Sequence, residues 1–283
     1  ARAARRRALR QGKQKPQPEA RPADGKDPGR VDAASGCLHP GNRGRRRQVE
    51  LREIVNAIRY VTRTGCVWRL LPHNFPAWQT VYGYFRRWRD AGVWEHLNDD
   101  LRGAVRTEAE RDIEPSAAII DSQSVKTSSV AGERGFDGAK LVTGRKRHIL
   151  VDVMGLLLVV LVHKASIQER TGAKSLLQRA KQKGFERLCL IWADGGYSGA
   201  PMINWVFDFA GWMFEVVKRS DNVKGFQLLP RRWVIERTFA WLGRYRRLSK
   251  DYEVLPQTSE AFIYAAMVDL MLARLARNPA IYL

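Results

Sequence analysis

The segment Ala117–Lys126 reads AAIIDSQSVK: four apolar residues closed by one carboxylate, Asp121, and then a polar run. A short apolar run bounded by polar residues is the pattern of a buried strand, and a buried strand rarely tolerates an unpaired acid. Asp121 therefore needs a partner, for which an Arg or a backbone N–H is the ordinary choice. A second copy of the arrangement argues for something more. Residues 188–193, LCLIWA, run straight into Asp194 and then Gly195, Gly196 and Tyr197, so two predicted strands each deliver an Asp at their polar end.

Working outward, residues 146–153 and 156–163 read as two further strands joined by the turn pair Met154-Gly155, a hairpin. Residues 168–183 follow helical spacing, with Ala173, Leu176, Leu177 and Ala180 as the apolar stripe. After the strand ending at Asp194 come a short helix (200–209), a strand (212–217) and a long helix predicted over 232–250. The order β-β-β-α-β-α-β-α belongs to the α/β class with a mixed sheet, and it is the order of the RNase H-like fold. Residues 259–277 read as an amphipathic packing helix without chemistry of its own.

Upstream, Leu51, Ile54, Val55, Ile58 and Val61 share one helical face, and Thr64-Gly65 stops that helix. A second helix starts near Trp78, with Val81, Phe85 and Trp88 inside and Gln79, Tyr82, Arg86 and Arg87 outside. A third, over 93–106, turns Trp94, Leu97 and Leu101 inward. Three short helices with an aromatic core and basic outer faces are compatible with a small all-helical, helix-turn-helix-type DNA-binding domain over residues 45–112. Arg86 and Arg87 are its candidate phosphate contacts. Residues 113–283 are then expected to form a second, α/β domain. Residues 1–44 are rich in Arg, Gly, Pro and Ala without apolar periodicity and are expected to be a disordered basic tail. Residues 1–47 hold 14 Lys and Arg against 4 Asp and Glu, so 14 − 4 = +10 of the chain's net +20 lies there.

That net charge, on a chain of 283 residues with a pI near 10.4, points to a polyanionic partner. Nucleic acid is the first choice, although a packaging protein would carry the same charge. Three cysteines, Cys37, Cys66 and Cys189, show no disulfide or zinc spacing. The longest apolar run, residues 155–162, is too short to span a bilayer, and the start lacks the apolar core of a signal peptide. A soluble cytoplasmic protein is the expectation.

The long C-terminal helix offers a third carboxylate. At about 100° per residue, Glu236 shares its face with Arg232, Ala240, Gly243, Arg247 and Lys250, an acid among small residues and bases. Alone, Arg232 and Glu236 would be an ordinary i,i+4 pair on a solvated face. With Asp121 and Asp194 they make a different set. Attack on a phosphodiester needs a deprotonated nucleophile and stabilised developing charge, and two Mg²⁺ ions roughly 4 Å apart supply both. Such hard ions take carboxylate oxygens. Asp137 and Asp152 read instead as structural acids, Asp152 beside the hairpin turn, and His148 and His163 as packing residues. Arg145, Lys146 and Arg147 form a basic cluster placed to meet DNA backbone beside the first strand.

Four segments carry a family resemblance: residues 120–126 (IDSQSVK), 143–152 (TGRKRHILVD), 191–197 (IWADGGY) and 231–243 (RRWVIERTFAWLG), the last continued by 245–253 (YRRLSKDYE). With 63–72 (RTGCVWRLLP) and 78–82 (WQTVY), they resemble bacterial insertion-sequence transposases of the DDE class, in the IS-five-type family. The resemblance covers about residues 45 to 277. It implies an RNase H-like catalytic domain in which Asp121, Asp194 and Glu236 hold two Mg²⁺ ions, with Mn²⁺ as a substitute. It also implies cleavage at the ends of a mobile element and transfer to target DNA, and a homo-oligomer assembled on the terminal inverted repeats. Arg232 matches the Arg that precedes the Glu in the family pattern.

Two departures stand out. The family's Tyr and Lys around that Arg and Glu are here Leu229 and Gly243, so Arg247 or Lys250 is expected to take over the phosphate contact, with Arg237 and Arg244 beside them. The family's acidic and apolar helical start is absent from residues 1 to about 42, which a shifted reading frame or start would explain. Two other readings stay open: an RNase H-like repair or recombination nuclease, and a catalytically inactive DNA-binding remnant.

Overall fold

The computed structural model describes residues 49–129, 132–217 and 230–277; the tail expected over 1–44 lies outside them. Three helices come first: α1 (Leu51–Thr64), α2 (Trp78–Asp90) and α3 (Val93–Glu108). The predicted stripe of α1 is buried at Ile54, Ile58 and Val61, joined by Ala57. Gly65 closes it with φ of 72°, a left-handed conformation that costs glycine nothing. Glycine is also the residue that fits, because a Cβ there would lie 3.0 Å from the Arg246 backbone.

The sheet follows: β1 (Ala117–Lys126), β2 (Gly135–Asp137), β3 (Val142–Asp152) and β4 (Leu157–Lys164), then α4 (Glu169–Lys183), β5 (Leu190–Ala193), α5 (Ala200–Ala210), β6 (Met213–Val216), α6 (Pro230–Gly243) and α7 (Pro256–Leu275). β3 runs antiparallel to β1, β2 and β4, whereas β5 lies parallel to β1 and β6. This is a mixed sheet of RNase H-like order flanked by helices. Alternation along the strands divides the core. Ala118 and Ile120 of β1 pack with Leu176, Leu177 and Val206 from α4 and α5. Ile119 faces the other way, into a cluster with α1, α2, α3, α6 and α7. The N-terminal helices therefore share one hydrophobic core with α7, where Phe85 and Phe262 stack at 4.5 Å.

Two elements differ from their predicted extent. β1 does not stop at Asp121 but runs on to Lys126, paired with β3 throughout. Its pairing with β5 covers only Ala117–Ile119, so the parallel side of β1 opens just before Asp121. The helix predicted over 232–250 ends at Gly243. There the N–H groups of Arg244 and Tyr245 bond the carbonyls of Trp241 and Leu242, tight turns that end the helix. Buried Tyr245 is then pinned by its hydroxyl to Asp269 at 2.8 Å. Arg247 and Lys250 therefore leave the face of Glu236.

Candidate active site

Asp121 stands on β1 where the neighbouring strand β5 gives out, and Asp194 follows the end of β5. Parallel pairing of the two strands brings both carboxylates to one end of the sheet. Asp121 accepts the Ser122 N–H at 2.6 Å. Burial pushes its carboxyl up to about 7; the Ser122 N–H opposes this, the charge of Asp194 adds to it, and Lys140 and Arg232 pull it back. Asp194 caps the turn Gly195–Tyr197, its Oδ1 accepting the Gly196 N–H at 2.9 Å.

Glu236 reaches this corner from α6 through Arg232. The guanidinium lies 3.6 Å from the Glu236 carboxylate and 3.9 Å from that of Asp194. Arg232 thus spans the second and third predicted acids as a cation between them, while Glu236 remains half in solvent, its side chain 53% exposed. Among the described residues no three Asp, Glu, His or Cys side chains stand close enough to hold one ion. Asp121 and Asp194 form a pair, with Glu236 beyond Arg232. The donor chemistry of the pair suits a hard divalent cation: two carboxylates, one of them resisting ionisation where it stands.

Three neighbours of the pair escaped the sequence reading. Lys140 donates to the Ser122 carbonyl at 3.2 Å, and its ammonium lies 3.5 Å from Glu169. The Ser122 hydroxyl lies 3.3 Å from the same Glu169 carboxylate. The one signal for them was the Gly195-Gly196 doublet, since a glycine beside a functional acid often marks the close approach of another group.

All three residues of the expected basic cluster face inward, contrary to the expectation that it meets DNA. Arg145 is wholly buried, donating to the carbonyls of Glu133, Glu253 and Val254 and pairing with Asp251 at 3.3 Å. Lys146 is buried against Asp137, and Arg147 donates to the carbonyls of Leu248 and Lys250. Arg247 is buried as well, paired with Glu253 at 2.7 Å and facing the Phe262 ring. For Arg145, Arg147 and Arg247 the physical reason is shared: the segment after α6 folds back over β3 and supplies carbonyls and acids that these cations need once covered; Lys146 is satisfied instead by Asp137 and the Ile167 carbonyl. Arg86, Arg87, Arg244 and Lys250 are exposed. Arg237 is half-buried, held between the rings of Trp233 and Trp241.

His148, buried, and His163, half-buried, form a stacked pair, Nδ1 to Nε2 at 2.9 Å, and burial lowers both below the ordinary histidine range. Asp152 accepts the N–H groups of Met154 and Leu156 and pairs with Arg106, which makes it a hairpin residue.

Comparison with known proteins places residues 112–270 in the family described as "Transposase DDE domain" and residues 35–98 in "Putative transposase of IS4/5 family". The chain is 27% identical over 126 residues to the "Putative transposase for insertion sequence element IS402" of Burkholderia cepacia. That match takes in 42% of this chain and 59% of the relative, so the chain spans about three fifths of its length. Among solved structures, the Drosophila P element transposase strand transfer complex matches with a TM-score of 0.33 at 14% identity, over 81% of this chain and 66% of that one. The Mos1 strand transfer complex matches with a TM-score of 0.23 at 11% identity, over 84% and 81%.

Proposed function

The chain belongs to the transposase DDE-domain family, and from that premise we propose that it is an insertion-sequence transposase that cuts DNA at its element's ends and joins the freed 3′-hydroxyls to target DNA. The observation that carries this reading is the Asp121–Asp194 pair at the open corner of the sheet, with Arg232 leading from it to Glu236. Asp121 and Asp194 would hold Mg²⁺, with Glu236 as the third carboxylate of the set. When bound, the metal supplies an activated oxygen nucleophile and neutralises charge on the reacting phosphate.

The protein's own groups do the rest. The Ser122 and Gly196 N–H groups fix one oxygen of each aspartate, which leaves the remaining oxygens to coordinate. Arg232 is the cation nearest the acids from α6 and is suited to receive a phosphate oxygen, since guanidinium binds phosphate in a fixed fork. Exposed Arg244 and Lys250, and Arg86 and Arg87 on α2, contribute non-specific attraction to the DNA backbone.

The test is a strand-transfer assay with labelled DNA carrying the element's own terminal repeats and a supercoiled target. Cut ends and joined products should form in Mg²⁺ or Mn²⁺ and not in Ca²⁺, whose looser coordination holds the reacting oxygens poorly. Turnover in excess chelator would contradict the reading. Cleaved ends without joined product would point to the nuclease alternative.

A further inference from the structure

The two backbone donors that fix the paired aspartates belong to Ser122 and Gly196, and one side chain reaches both residues. Glu169 is the first residue of α4. Its Oε1 lies 3.3 Å from the Ser122 hydroxyl and 3.5 Å from the Lys140 ammonium. Its Oε2 occupies the space beside Gly196, where a Cβ would fall 2.4 Å from it. We propose that Glu169 is a positioning residue for the Asp121–Asp194 pair, holding the strand and the turn that carry the two acids at the spacing a divalent cation needs. This rests on the site reading above and deepens it.

Three features support the assignment. First, α4 is fixed rather than free at this end. Gly172 lets it approach the sheet so closely that a Cβ there would lie 2.5 Å from both His148 and His163, and Ala173, Leu176 and Leu177 are buried behind it. A carboxylate at the start of so firmly seated a helix is a rigid strut. Second, the contact explains an asymmetry in the Gly195-Gly196 doublet. Nothing lies within 4 Å of a Cβ at Gly195, whereas one at Gly196 would meet the Glu169 carboxylate at 2.4 Å and Asp194 Oδ1 at 3.1 Å. Third, Lys140 joins the Glu169 carboxylate to the Ser122 carbonyl, so the strut is tied to β1 twice.

A helix also favours an acid in its first turn through its dipole, but that role would alter stability and leave metal affinity unmoved. The experiment therefore titrates the full chain with Mn²⁺ by electron paramagnetic resonance, with thermal melting alongside. Loss of a group that orients metal ligands typically weakens metal binding 10- to 100-fold, and Glu169→Ala should fall in about that range. Glu169→Gln keeps the length and an acceptor for Ser122 and should lose less. Gly196→Ala, whose Cβ would meet both Glu169 Oε2 at 2.4 Å and Asp194 Oδ1 at 3.1 Å, should also weaken Mn²⁺ binding, while Gly195→Ala should bind Mn²⁺ like the parent. Should Glu169→Ala fail to fold, Glu169→Gln carries the test. Parent-like Mn²⁺ affinity in the folded Glu169 variants, whatever Gly196→Ala shows, with affinity lost in Asp121→Asn, would overturn the proposal and leave the site reading standing. Parent-like affinity in Asp121→Asn and Asp194→Asn as well would remove the metal site itself.

Discussion

At Asp121, burial opposes ionisation first and the charge of Asp194 adds to it, so the carboxyl rises to about 7 against an ordinary value near 4. A carboxyl raised in the folded state contributes stability that is fully present below the unfolded value and is lost as pH climbs through the folded one. Asp121→Asn should therefore stabilise the metal-free protein at pH 8 by about 2 kcal/mol. That is roughly half the worth of such a shift, because the residue still meets solvent. The gain should vanish by about pH 4, and chemical denaturation at the two pH values checks it. A variant less stable than the parent at pH 8 would contradict the account. The positions of Asp121 and Asp194 were legible in the sequence because an apolar run closed by an acid is a local signal, even though β1 itself runs on past Asp121 to Lys126. The fate of Arg145 and Arg147 was not. Three consecutive bases read as surface, and what buries them is a segment about a hundred residues further on.

Among the elements, α7 is the hub that ties the N-terminal helices to the sheet, and Asp269 is its polar anchor. Its buried carboxylate accepts from Arg59 at 2.5 Å, Arg63 at 2.8 Å and the Tyr245 hydroxyl at 2.8 Å, so it joins α1, α7 and the turn after α6. Burial by itself would raise the Asp269 carboxyl; the hydrogen bonds from Arg63, Tyr245 and Arg59 outweigh it and hold the group below the usual carboxylate range. A lowered carboxyl contributes stability above the unfolded value that is lost as pH falls through the folded one. Asp269→Ala should cost about 3 kcal/mol at pH 7, the lower end for breaking a buried pair, since both Arg partners are partly exposed. The difference from the parent should shrink as pH falls below the ordinary carboxylate value near 4. A loss under about 0.5 kcal/mol, the range of an ordinary surface change, would show that the clamp contributes nothing. Helix and strand order was legible from periodicity, and the end of α1, the start of α2 and both ends of β4 lie within a residue of their predicted positions. The end of α6 was misread because RYRRLSK keeps helical spacing after Gly243, while Tyr245 is claimed by Asp269 across the core.

For the whole molecule, the proposed reading puts phosphate binding and catalysis on different residues. Arg244 and Lys250 are exposed, and on that reading they meet phosphate. Arg244→Ala and Lys250→Ala should each weaken binding across DNA sequences and lower the slope of log affinity against log salt by about one unit. Parent-like binding at every salt concentration would mean that these bases face only solvent. Arg247→Ala should instead show itself in melting, because that side chain is buried. The central claim is that Asp121, Asp194 and Glu236 carry the chemistry, and the most direct measurement compares cleavage and DNA binding for Asp121→Ala, Asp194→Ala and Glu236→Ala on one substrate carrying the element's ends. The account predicts cleavage lost in all three, with binding within about threefold of the parent, since phosphate contacts dominate affinity. Full cleavage by any one of the three variants would contradict it.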